Sequence, residues 1–106
     1  MNLNEIAENA HKTALTRELN GGDVKIRSIL KHTATEVIEA AEARALWILN
    51  GGDNFSDEHD MYAEELADVI ICALIAAYND NIDIEAAINY KMQKNAQRAA
   101  LQGDKA

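Results

Sequence analysis

One five-residue word occurs twice, as Leu19-Asn20-Gly21-Gly22-Asp23 and as Leu49-Asn50-Gly51-Gly52-Asp53, in a chain that contains no proline. Asn and Gly tolerate the left-handed conformation in which helices end, so each copy reads as a helix stop. Four of the five glycines lie in these two words, and the residues that dominate elsewhere, Ala, Glu, Leu and Ile, favour helix over strand. The expected fold is therefore all-α. The spacing of thirty residues between the words reads as two uses of one stop signal, not as a duplicated helix pair.

Apolar periodicity divides the chain into four helices. Leu3, Ile6, Ala10 and Ala14 predict a weakly amphipathic first helix from about Asn4 to Arg17. Ile26, Ile29, Leu30, Val37, Ala40, Ala41, Leu46 and Ile48 form a broad band along a second, from Val24 to Leu49. Ser56 is placed to cap the third, with Asp57 and Glu58 at the positive end of its dipole. That helix runs to about Tyr78 and grows apolar on more than one face through Leu66, Val69, Ile70, Ile71, Leu74 and Ile75, which places it centrally or at a subunit contact. Asn79-Asp80-Asn81 breaks it, Asp83 caps the fourth, and Ile84, Ala87, Ile88, Met92 and Ala99 carry that one to about Ala100. Residues 101–106 read as a frayed tail. The expectation is one domain, residues 1–100, built as a four-helix antiparallel bundle. At 106 residues such a core is small, so dimerisation is expected to complete it.

Eighteen acidic residues against ten basic ones give a formal charge of −8. That field repels polymeric nucleic acid and anionic membrane surfaces. A small anionic ligand stays compatible, because a divalent cation inverts the local charge of an acidic site. The apolar run Val69–Tyr78 is about half the length of a membrane span, and the N-terminus lacks the basic start of a signal peptide. The single Cys72 has no intramolecular disulfide partner. A cytoplasmic protein is expected.

Two acid pairs stand apart from ordinary surface charge: Glu36 with Glu39 on the second helix, Glu65 with Asp68 on the third. A spacing of three puts two carboxylates roughly 60° apart and one turn along, near enough to converge on one cation. Each pair is embedded in apolar sequence, Val37-Ile38-Glu39-Ala40-Ala41 and Leu66-Ala67-Asp68-Val69-Ile70, where an uncompensated carboxylate is costly. A shared metal removes that cost. Oxygen ligands without Cys select a hard cation, Mg²⁺ with Mn²⁺ as a substitute. A di-iron bundle needs two Glu-x-x-His motifs, and the chain has one, Glu8-Asn9-Ala10-His11, so His11 reads as a surface or capping residue.

The order Glu-x-x-Glu, twenty-five residues (40–64), then Glu-x-x-Asp closely resembles the signature of the all-α nucleoside triphosphate pyrophosphohydrolases, the superfamily of MazG, dimeric dUTPases and phosphoribosyl-ATP pyrophosphohydrolases. The likeness extends to Asn89-Tyr90-Lys91-Met92-Gln93-Lys94-Asn95-Ala96-Gln97-Arg98, which is similar to the Lys, Asn and Arg segment that follows the acidic helices in MazG-like proteins, and it covers about residues 25–100. The resemblance implies Mg²⁺-dependent cleavage between the α and β phosphates of a nucleoside triphosphate, giving a monophosphate and pyrophosphate. It implies a homodimer or homotetramer. Glu36, Glu39, Glu65 and Asp68 would be the catalytic metal ligands; Lys91, Lys94, Asn95 and Arg98 would bind substrate. Lys91, Asn95 and Arg98 share one helix face, with Ile84, Ile88 and Met92 on another stripe to pack the helix onto the bundle.

Around this set, His32 lies one turn before Glu36 and reads as a partner of that ligand, Trp47 as a core or dimer-contact residue ahead of a base-stacking platform, and His59 as solvated, while Glu42 and Glu64 read equally as solvent-facing or as further site groups, a second-metal ligand or a base holding water. Two rival readings remain: a non-enzymatic acidic helical module that oligomerises through the third helix, and a phosphoribosyl-ATP pyrophosphohydrolase.

Overall fold

The computed structural model describes residues 1–104. They form α1 (Leu3–Leu19), one 3₁₀ turn (Ile26–Ser28), α2 (Ile29–Leu49), α3 (Asp57–Asn79) and α4 (Ile84–Asp104), with no strand among them. The chain is all-α with four helices, as expected. None of these helices is long and apolar enough to cross a membrane.

Helix ends follow local chemistry. Gly21 sits at φ +85°, and the Gly22 N–H donates to the Arg17 carbonyl at 2.8 Å, closing α1 in the manner of a Schellman cap. A Cβ on Gly22 would stand 2.8 Å from that same oxygen, so the close approach requires glycine. The second word repeats the closure on Trp47. Ser56 caps α3 by accepting the His59 N–H at 3.2 Å, and Asp83 caps α4 by accepting that of Ala86 at 3.1 Å.

Two boundaries differ from the periodicity. The second helix starts at Ile29, not Val24, because Lys25 is extended and the Glu18 carboxylate takes the Ile26 N–H at 3.0 Å. A side chain from the preceding helix thus satisfies one of the free N–H groups at the start of the 3₁₀ turn. The fourth helix passes Ala100 and continues to Asp104, so the expected tail is helical that far, and its last two residues lie outside the described ones.

The frame is an antiparallel α2–α3 hairpin. Trp47, near the end of α2, meets His59 and Tyr62 in the first turns of α3, while Ile29, at the start of α2, packs with Cys72, Ile75 and Ala76 farther along. Helix α1 lies across the hairpin, adding Ala10 and Ala14 to that core. Packing is uneven, however. Helix α4 is clamped at its root, where the Asn4 side chain donates to Asp83 at 2.9 Å and accepts the Ile84 N–H at 3.1 Å. Beyond that root it has no packing against α2. The radius of gyration is 17.0 Å, against about 13 Å for a compact domain of this size, so α4 stands away from the other three helices. Its stripe does not bury: Met92 is 63% exposed.

Candidate metal centre

The hairpin register brings the two acid pairs face to face. Carboxylate oxygens of Glu36, Glu65 and Asp68 all lie within 4.8 Å of one another. Ligands at the Mg²⁺ distance stand about 3 Å apart when adjacent and about 4 Å apart when opposite, so small side-chain rotations suffice to close the three on one ion. Glu39 is exposed and outside this trio, yet its charge bears on both Glu36 and Glu65. It borders the group from the turn beyond Glu36.

Glu36 is only 8% exposed. Its Oε1 accepts from His32 Nε2 at 2.9 Å, the expected partnership, which fixes the carboxylate's orientation. Its Oε2, and Oε2 of Glu65, are buried and have no hydrogen-bond partner. Buried acceptors are nearly always satisfied, so two left bare side by side call for a partner. Burial first, and then the neighbouring Glu39, raise the pKa of both groups; Glu36 and Asp68 add to the effect on Glu65, while His32 partly offsets it at Glu36. Burial, reinforced by Glu36 and Asp68, also pushes the Cys72 thiol up. Unpartnered buried oxygens, mutual repulsion and an all-carboxylate donor set fit a hard divalent cation.

Beside the acids is a cavity of about 310 Å³, whose wall includes Glu36, Asp68 and His32 together with Arg17, Gly22 and Asp23 from the first helix stop. Periodicity gave no notice of the last three. They lie at or beyond the end of α1, and only the tight closure of that stop turns them toward α2 and α3.

The basic face of α4 is not brought to the acids within one chain. Lys91, Asn95 and Arg98 are exposed, Lys94 holds its ammonium 5.5 Å from the centre of the Tyr90 ring, and no α4 residue lines the cavity. Helix α4 has too little buried apolar surface to hold it against the hairpin.

The remaining candidates separate cleanly. His11 contacts Asn79 at 3.2 Å and tilts against Tyr78, so it serves the α1–α3 contact, while Glu8 pairs with Lys12 along the surface of α1. His59 is half-buried with its ring 5.2 Å from that of Trp47. It is not simply solvated, because the Ser56 cap sets the first turn of α3 against α2. Trp47 stacks on Tyr62 and donates its indole N–H to the Asp53 carbonyl at 3.0 Å, closing the α2–α3 loop. Glu42 and Glu64 are exposed. No protein-family model, curated protein or solved structure matches the chain.

Proposed function

We propose that this protein is a Mg²⁺-dependent nucleoside triphosphate pyrophosphohydrolase of the MazG-like kind, cleaving between the α and β phosphates to a monophosphate and pyrophosphate. The observation that carries the reading is the convergence of Glu36, Glu65 and Asp68 with two buried oxygens lacking a partner. Solubilising charge has no reason to be placed so.

In this reading Glu36, Glu65 and Asp68 hold the ion, with Glu39 joining them from its exposed position. Mg²⁺, or Mn²⁺ in its place, supplies Lewis-acid polarisation of phosphate oxygens and of the attacking water. His32 keeps Glu36 oriented through its contact with Oε1. No side-chain nucleophile is needed for phosphoryl chemistry of this class. The free, buried Cys72 is in keeping with a reducing, cytoplasmic setting.

The working form is proposed to be a homo-oligomer. On α2, Leu30, Ala34, Val37 and Ala41 follow one another at four, three and four residues, with Ile48 a heptad beyond Ala41, the seam of a coiled-coil partner, and all are exposed. They lie roughly 100–160° round the helix from Glu36. Leu66 and Ile70 of α3 are also exposed. A second copy of the hairpin, presenting the same seam, completes a four-helix core while leaving the acids clear of it. A purely oligomeric module would explain this seam but not the two buried, unpartnered carboxylate oxygens.

Incubation with a panel of nucleoside triphosphates and Mg²⁺ tests the activity. Pyrophosphate and a monophosphate are the expected products; orthophosphate alone, or no turnover across the panel, refutes it. Sedimentation is expected to give a multiple of 11.7 kDa, reduced to the monomer by Val37→Asp.

A further inference from the structure

Arg17 is the one Lys or Arg among the residues that line the cavity beside the acids. Three carboxylates, Asp23, Glu36 and Asp68, share that wall, yet among the described residues Arg17 forms no ion pair. Its neighbour Glu18 is committed elsewhere, to the Ile26 N–H at 3.0 Å. His32, the one histidine among the lining residues, contacts Glu36 at 2.9 Å. The backbone beneath Arg17 is fixed, because its carbonyl accepts the Gly22 N–H at 2.8 Å and Gly22 leaves no room for a side chain. In the same cavity Glu36, 8% exposed, carries an Oε2 with no partner. An arginine without an ion-pair partner and a glutamate with one bare, buried carboxylate oxygen therefore line the same space of about 310 Å³. A ligand that carries a divalent cation on one side and anionic oxygens on another satisfies both.

We propose that Arg17 binds phosphate oxygens of the substrate's polyphosphate chain, a substrate-binding role on α1 that the basic face of α4 does not fill within one chain. The proposal rests on the metal-site reading above. A planar guanidinium matches two phosphate oxygens at once, and in a chain of net charge −8 a cation beside the acids offsets the repulsion a polyphosphate meets on entry. Arg17 is exposed, so its replacement leaves the fold intact.

The test uses the full chain with Mn²⁺ alone and then inorganic tripolyphosphate at saturating Mn²⁺, both by calorimetry. Arg17→Ala is expected to weaken tripolyphosphate binding about tenfold or more, to leave Mn²⁺ affinity in its absence unchanged, and to raise KM more than it lowers kcat. Arg17→Lys is expected to recover part of the loss. Wild-type Mn²⁺ binding together with equal tripolyphosphate affinity in Arg17→Ala overturns this proposal alone. Absence of Mn²⁺ binding by the wild-type chain refutes the metal site and this proposal with it.

Discussion

The acid pairs on α2 and α3 and the basic residues on α4 present the same kind of sequence evidence, charged residues repeated on one helix face, and the fold treats them differently. Glu36 and Glu65 are drawn together because the helices carrying them bury Ile29, Ala40, Cys72, Ile75 and Ala76 on neighbouring positions. Hydrophobic burial, at about 25 cal/mol per Å², drives that pairing, and the carboxylates are carried along against their mutual repulsion. Helix α4 has no comparable drive. Its Ile88 and Met92 remain exposed, so Lys91, Asn95 and Arg98 stay where the chain leaves them. Spacing on a helix face thus predicts convergence only where an adjacent apolar face is strong enough to impose it.

The largest expected effect tests the acid side. Glu65→Gln and Asp68→Asn are each expected to lower turnover about a hundredfold or more, since altering even an outer partner of a metal ligand commonly costs ten- to a hundredfold. Both should also abolish the rise in melting temperature that a ligand of the folded state produces. Pyrophosphate release and melting curves with and without Mg²⁺ measure the two losses. A variant that keeps both would show that the convergence of carboxylates is incidental.

A smaller effect separates the two regions by pH. Glu36 and Glu65 have raised pKa values in the fold, so above the ordinary value of 4.5 the folded chain binds more protons than the unfolded one, and metal-free stability falls as pH rises through that window. Asp83 at the root of α4 behaves oppositely. Its pKa is lowered by the Asn4 side chain and then by the Ala86 N–H, so its contribution is present above the ordinary value of 3.8 and is lost as pH falls through the folded value. Metal-free melting temperature should therefore drop as the medium is taken from mildly acid to neutral, with a shallower slope in Glu36→Gln. Amide protection at Ala86 and its neighbours, taken relative to the intrinsic exchange rate at each pH, should instead fall at the acid end. A metal-free melting temperature that climbs over the same range would mean the acids are compensated in the apo protein.

Much of this was legible in the residues. Two helix stops, the Ser56 and Asp83 caps and all four helices follow from local chemistry, and the acids were singled out by the apolar residues around them. What was not legible depends on contacts between distant segments. The delayed start of α2 needs Glu18 to reach Ile26, and the placement of Arg17 needs the Gly22 closure together with the seating of α1 on the hairpin. The separation of α4 depends on a balance of buried area, and spacing alone does not report area.

The smallest expected effect concerns that separation. In a single chain α4 does not touch α2, so the proposed substrate contacts of Lys91, Lys94, Asn95 and Arg98 require a second copy to bring them to an acid site. Arg98→Ala is therefore expected to leave Mg²⁺ binding unchanged and to reduce kcat/KM less than Arg17→Ala does, by a few-fold and only at concentrations where the chains associate. The two roles separate by concentration as well as by residue: a contact made across subunits weakens on dilution as the oligomer dissociates, while one made within a chain does not. Turnover of both variants over a dilution series, read alongside sedimentation at the same concentrations, measures this. If Arg98→Ala costs as much as Arg17→Ala in the dissociated chain, α4 must fold across its own acid site in solution, and the contrast between a gathered acid face and a stranded basic one is wrong.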